Sequence, residues 1–212
     1  ISDAATSILP FMNASIDFRP VFKHRVDQVE LNRRVITEKD LTTRRSTFHN
    51  RQVESVQETF DRLLAEYKKM YKQFEEHPEL KTKPGWFVSV TATHWLLARA
   101  WRTLERYELQ KTVSTLPVKV HVIRIGEMAI ATNPFELYLD YGIQIKARSK
   151  AVQTFVVELA SPGGGGYLPT QRSVEGGAYG AIPQSTLIGP EGGRVLVNRT
   201  LELIESLWDE EK

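Results

Sequence analysis

The sequence predicts an α/β fold: strand–helix–strand units with a Gly-rich site loop, preceded by a long helical hairpin. Three patterns predict it. Between residues 53 and 74, apolar side chains recur in alternating steps of three and four. From Pro117 onward, short β-branched runs flank an amphipathic stretch. Residues 161–192 then read as a long loop that opens on Ser161-Pro162 and four consecutive glycines.

Composition narrows the class. The chain has 212 residues, of which 41% are apolar and 25% charged, values that exclude a disordered or fibrous polymer. No apolar run approaches the roughly 18–20 residues of a membrane span. The absence of cysteine excludes a disulfide framework, thiolate metal sites and a cysteine nucleophile. The formal net charge is only +2, and the nine Lys/Arg within 19–51 lack aromatic interleaving, so nucleic acid is not an expected partner. That basic segment reads as a solvated face or a contact for an acidic surface. The sequons Asn13-Ala14-Ser15 and Asn198-Arg199-Thr200 are weak signals. The first residue is Ile1 and nothing resembles a signal peptide, so a processed chain or a piece of a longer one is expected.

Two regions are expected, 1–116 with an extended segment and a helical hairpin, and 117–212 as an α/β body. Residues 1–39 show little periodicity apart from an alternating run, Arg25-Val26-Asp27-Gln28-Val29-Glu30-Leu31, that predicts a strand. A helix is expected from about Thr37 to Glu76, with acidic residues in its first turn. Its apolar seam is Val53, Val56, Phe60, Leu63, Tyr67, Met70 and Phe74. Such a seam suits either a dimeric coiled coil or a hairpin within one chain, and a second helix over about 92–108 favours the hairpin. Leu97, Trp101 and Leu104 are that helix's expected apolar side.

Beyond Pro117, strands are expected over 118–123, 128–131 and 154–159, with a turn at Ile125-Gly126-Glu127 and a helix over about 134–147. A last helix is expected over about 193–208, with Val195, Leu196, Leu203, Ile204 and Leu207 as its apolar side. The unit over 127–160 makes its two strands parallel, so both end at one sheet edge, where ligands of open α/β sheets collect. The loops there carry Asn133-Pro134-Phe135-Glu136 and the glycines leading to Tyr167. Glu136 has a structural reading too, as the third residue of a helix capped by Asn133 with Pro134 at its first position. The glycines read either as a phosphate cradle, without the Lys-Ser/Thr of a P-loop, or as backbone that passes close to a ligand or metal beside Tyr167. Tyr167 and Tyr179, twelve residues apart among glycines, suit binding better than a core.

Ile125-Gly126-Glu127, Asn133-Pro134-Phe135-Glu136, Gly166-Tyr167-Leu168-Pro169-Thr170, Gly177-Ala178-Tyr179 and Leu187-Ile188-Gly189-Pro190-Glu191 together resemble the C-terminal part of the catalytic domain of neutral (neutral/alkaline, non-lysosomal) ceramidases. The resemblance covers about 117–208. It implies a zinc-dependent amide hydrolase that converts N-acylsphingosine to sphingosine and a fatty acid. It implies Glu136 and Tyr167 as metal ligands, Tyr179 beside the reacting carbonyl, and Gly165, Gly166 and Thr170 lining the substrate. Secretion or a periplasmic location would follow.

The match departs from the family in three respects. Phe135 precedes Glu136 and Leu137-Tyr138 follow it, which differs from the family's Pro-Gly-Glu-x-Thr-Thr setting. The family's two histidine ligands have no counterpart among His24, His49, His77, His94 and His121, so they are expected from an N-terminal half or a companion chain. The immunoglobulin-like domain of longer members is not expected to follow the closing helix. His94 and His121 read as helix and strand histidines. The chain alone is expected neither to hold zinc tightly nor to hydrolyse anything. A non-catalytic docking module, or a hydrolase of another amide or ester, is the alternative.

Overall fold

A computed structural model describes residues 2–12, 16–47, 50–160 and 165–209. They form a mixed α/β structure, as the sequence predicts. By contact they group into two compact units, one from segments 1–29, 118–164 and 194–212, the other from 30–117 and 165–193.

The first unit is built on a four-stranded sheet. Helix α1 (Ser2–Met12), which the sequence reading leaves without structure, precedes the sheet in the chain, and the first strand is β1 (Phe22–Asn32), longer than the expected strand. β4 (Thr115–Ile125) and β5 (Met128–Thr132) form an antiparallel hairpin that pairs Val122 with Ala131 and Ile125 with Met128. Gly126 turns it with φ of 58°, and its N–H donates to the Val21 carbonyl. After the two-residue strand β6 (Glu136–Leu137) and helix α4 (Leu139–Arg148), β7 (Gln153–Val157) joins β5 in parallel. The sheet order is β1-β4-β5-β7. Val118, Val120, Val122, Ala129, Ala131 and Thr154 alternate into the core. Leu196, Val197, Leu203 and Ile204 of the last helix, α6 (Pro190–Ser206), and Leu207 just beyond it are buried there too. Val195, expected on the apolar side, is instead exposed, and Val197 takes the buried position.

Arg124 closes this unit. Its guanidinium donates to the Gly126 and Leu207 carbonyls and lies 4.1 Å from the centre of the Trp208 ring. Within α6, Arg199 bridges Asp27 and Glu202.

In the second unit, the long helix predicted from Thr37 does not form at its start. Residues Glu38–Leu41 make one tight turn, and β2 (Thr42–Thr47) pairs antiparallel with β3 (Asn50–Ser55). β-Branched Thr42 and Thr43 favour the extended backbone. The helix α2 (Val56–Glu76) starts only at the Ser55–Glu58 capping box, where each residue's side chain accepts the other's backbone N–H. The seam therefore begins at Val56, and Val53 lies in β3. The partner helix is α3 (Phe87–Leu109). Phe60 meets Trp101, Tyr67 meets His94 and Phe74 meets Trp86, so the helices run antiparallel in one chain, as the hairpin reading expects. The buried stripe of α3 runs through Val90, Thr93, Ala100 and Thr103, while Trp101 stays half exposed. The expected long loop contains β8 (Tyr167–Leu168), α5 (Gln171–Glu175) and two tight turns at 179–181 and 183–185.

Candidate functional site

Tyr167 and Tyr179 come together in the second unit. The chain reaches Tyr167 through Gly165, whose carbonyl accepts the Leu187 N–H, and Gly166, which bridges to Thr186. Gly166 has φ of 72°, and a Cβ there would strike the Ser185 carbonyl oxygen. Only glycine fits that approach. Thr170 then caps α5, its hydroxyl accepting the Ser173 N–H at 3.2 Å. Gly177, at φ of 66°, turns the chain back, and Ala178 donates to the Ser173 carbonyl. The result sets the two phenol rings edge to face, 6.0 Å apart at 80°.

Tyr179 is 57% exposed, and the Arg99 guanidinium of α3 stands 5.7 Å from its ring centre. Arg99 is held at the same time against Trp95, 5.2 Å away. Beside it lies a cavity of about 900 Å³ lined by Thr59, Arg62, Leu63, Thr93, Leu96 and Arg99 among others. Its polar wall is the Glu54–Arg62 pair, bonded at 2.9 and 3.1 Å, and Glu54 raises the Arg62 pKa by that hydrogen bond. Apolar and charged walls in one cavity suit an amphipathic ligand.

Two further arginines hold the tyrosine loop from behind, and the sequence reading missed both. Arg34 donates to the Ala181 carbonyl and, at 3.0 Å, to the Thr186 hydroxyl, while its backbone N–H donates to Leu187. Arg106 donates to the carbonyls of Pro183 and Thr186. Burial pulls both guanidiniums below the ordinary arginine value. Asp40 and Glu191 oppose the shift at Arg34, whereas Arg102 and Arg33 reinforce it at Arg106. Thr186 is 1% exposed, so its two oxygens depend on these donors. Within 19–51 the sequence shows a run of basic residues read as solvated. It does not show that Arg34 spends its charge on loop carbonyls.

Glu136 belongs to the first unit. It does not cap a helix: α4 begins three residues later, with Tyr138 as its N-cap, and Glu136 sits in β6. The reason lies in Asn133. Its side-chain oxygen accepts the Phe135 N–H at 3.0 Å, its carbonyl accepts the Ala160 N–H, and its own N–H donates to Val157. Phe135 is fully buried and its carbonyl accepts from Leu159. This stitching bends the chain at 134–135 past the carboxyl end of β5 and delivers it into β6, which leaves Glu136 half buried. Its carboxylate makes no hydrogen bond or ion pair among the described residues. Of the glycine run, Gly163 and Gly164 lie outside the described residues.

Zinc does not fit the predicted site residues alone. Zinc sites are built chiefly on imidazole and thiolate, whereas Glu136, Tyr167 and Tyr179 offer a carboxylate and phenols. Among the described residues, no three His, Cys, Asp or Glu side chains gather into a metal-binding group.

Comparisons with known proteins give a thin result. No family model matches, and no curated protein matches. Two solved structures align with part of the chain. Neutral ceramidase from Pseudomonas aeruginosa does so with a TM-score of 0.34 and 19% identity, over 47% of this chain and 17% of that one. A ceramidase complexed with C2 gives 0.34 and 20%, over 47% and 16%. The aligned part thus spans about a sixth of either chain's length.

Proposed function

We propose that this chain contributes the tyrosine-bearing part of a ceramidase-like hydrolase site. The substrate would be an amide joining an acyl chain to a polar amino alcohol. The observation that carries the reading is the edge-on Tyr167–Tyr179 pair beside a cavity with both apolar and charged walls. Those are the two tyrosines to which the resemblance gives roles.

The reaction adds water across the amide, breaking the C–N bond to leave a carboxylate and an amine. Tyr179 is the exposed member of the pair, and its hydroxyl donates a hydrogen bond to the oxygen of the scissile carbonyl as negative charge develops there. Such a donor matters only if it is fixed beforehand. Fixing it is the work of Tyr167 at its ring edge, Arg99 over its face, and Arg34 and Arg106 behind its loop. The leucines of the cavity face the acyl chain and Arg62 and Arg99 the polar end. The reading takes the imidazole donors that a zinc site would need from an N-terminal half or a companion chain.

The test is Tyr179→Phe in the complete protein, with acyl amides of graded chain length. Loss of an oxyanion donor lowers kcat by about 10²–10³ with KM little changed. A variant with unchanged kcat would sink the role of Tyr179. A complete protein that hydrolyses neither amides nor esters would sink the hydrolase reading, leaving the docking module.

A further inference from the structure

A pair of histidines lies in the first unit, on the opposite face of the sheet from the core. His24 of β1 and His121 of β4 sit side by side on adjacent strands, His24 Nε2 3.1 Å from His121 Nδ1. Their ring planes differ by only 8° with centroids 5.3 Å apart. That separation exceeds the nitrogen distance by about two ring radii, so the rings meet edge to edge, one N–H pointing at the other ring's lone pair. His24 is exposed, and the backbone N–H of His121 is fixed by the Thr132 hydroxyl at 3.1 Å.

We propose that His24 and His121 form a two-imidazole binding site for a borderline divalent transition metal of the nickel, copper or zinc type. Metal–imidazole bonds are about 2.0–2.1 Å long, so one ion reaches both nitrogens and subtends roughly 100° between them. That angle lies between octahedral and tetrahedral values. Neutral imidazole suits these metals, with copper bound tightest of the series. Each neutral ring carries one N–H and one lone pair. Binding moves the shared proton to the outer nitrogen of its own ring, which leaves both facing nitrogens free to ligate and releases no net proton from the neutral pair. The rings must also turn about Cβ–Cγ so that their lone pairs converge, and exposed His24 has room to do so. Water fills the remaining positions, so the ion is held in an open, exchangeable site and not in a closed structural one. This site is independent of Glu136 and Tyr167.

The experiment titrates Ni²⁺ and then Cu²⁺ into the untagged 212-residue chain by calorimetry, with histidine ring nitrogens followed by NMR. One ion per chain is expected, shifting two imidazoles. His24→Ala and His121→Ala should each weaken binding by about tenfold or more. His77→Ala and the pair Glu136→Gln with Tyr167→Phe should leave it unchanged. Binding that survives His24→Ala, or a wild type that binds no better than the double variant His24→Ala/His121→Ala, overturns the proposal. Because His24 is exposed, His24→Ala keeps the test open even if His121→Ala fails to fold. If binding is lost only in Glu136→Gln with Tyr167→Phe, the ion belongs to the hydrolase site and this proposal fails while that reading gains.

Discussion

Leu159 holds a backbone that side chains other than glycine rarely adopt, with φ of 53° just beyond β7. Its side chain is 67% exposed and so recovers little by packing. A left-handed residue with a Cβ costs about 1–2 kcal/mol, and glycine's extra unfolded-state freedom costs about 0.5–1. Leu159→Gly is therefore expected to be neutral or stabilising by up to about 1 kcal/mol. Gly166 has the same backbone sign and the opposite outcome. There a Cβ strikes the Ser185 carbonyl as well as straining φ, so Gly166→Ala should cost about 1–3 kcal/mol and separate the two tyrosine rings. Urea midpoints of the two variants check the pair, and a stable Gly166→Ala chain would remove the close approach from the site's design. The tyrosine spacing was legible in sequence because glycines announce turns. The true state of Glu136 was not, because Asn-Pro-x-Glu fits a capped helix equally well until Val157, Leu159 and Ala160 supply distant partners for the same backbone groups.

The helical hairpin was legible at the scale of elements because a three-four seam can be satisfied only by another apolar stripe, and the next helix offers one. The start of α2 is displaced from the sequence expectation because acids after Thr37 mimic a first turn, and the Thr37–Asp40 contacts do form a one-turn box there. What carries the chain into β2 is pairing with β3, a partner with no local signature. The decisive signal was Ser55 with Glu58 three residues on, which repeats the same motif at the helix that persists. Hydrogen bonds from the Ser55 backbone N–H and hydroxyl hold the Glu58 pKa below its ordinary value. A depressed carboxylate pKa stabilises the folded form at pH above the unfolded-state value and loses that contribution as pH falls through the folded one. The first turn of α2 should therefore fray in acid, below the ordinary glutamate range near pH 4.3. Amide exchange at residues 57–59 should report it. Glu58→Gln should show weaker protection at neutral pH and none of the acid dependence; equal pH profiles in both chains would remove the capping box from the account.

Taken over the whole chain, each unit leaves one apolar face uncovered. On the sheet, β7 inverts the usual pattern: Thr154 is buried, whereas Phe155 and Val157 are 48% and 41% exposed. Met128 of β5 and Phe22 and Val26 of β1 are also exposed. In the other unit, Phe87, Val88, Trp95 and Leu96 of α3 line an open apolar surface. Sequence could not predict this, since alternation tells which residues share a face but not which face meets water. An α/β sheet normally buries its more apolar set. Large exposed apolar patches promote association in solution. The isolated chain is therefore expected to bind a hydrophobic dye strongly and to self-associate with rising concentration. Replacing Phe155 and Val88 by lysine should reduce both effects while changing unfolding stability by no more than about 0.5 kcal/mol each, as at ordinary surface positions. Sedimentation of the double variant against the parent measures the first expectation and urea unfolding the second. A loss of 2 kcal/mol or more at Phe155 would mean that the residue packs within the fold, and the sheet would then have two covered faces.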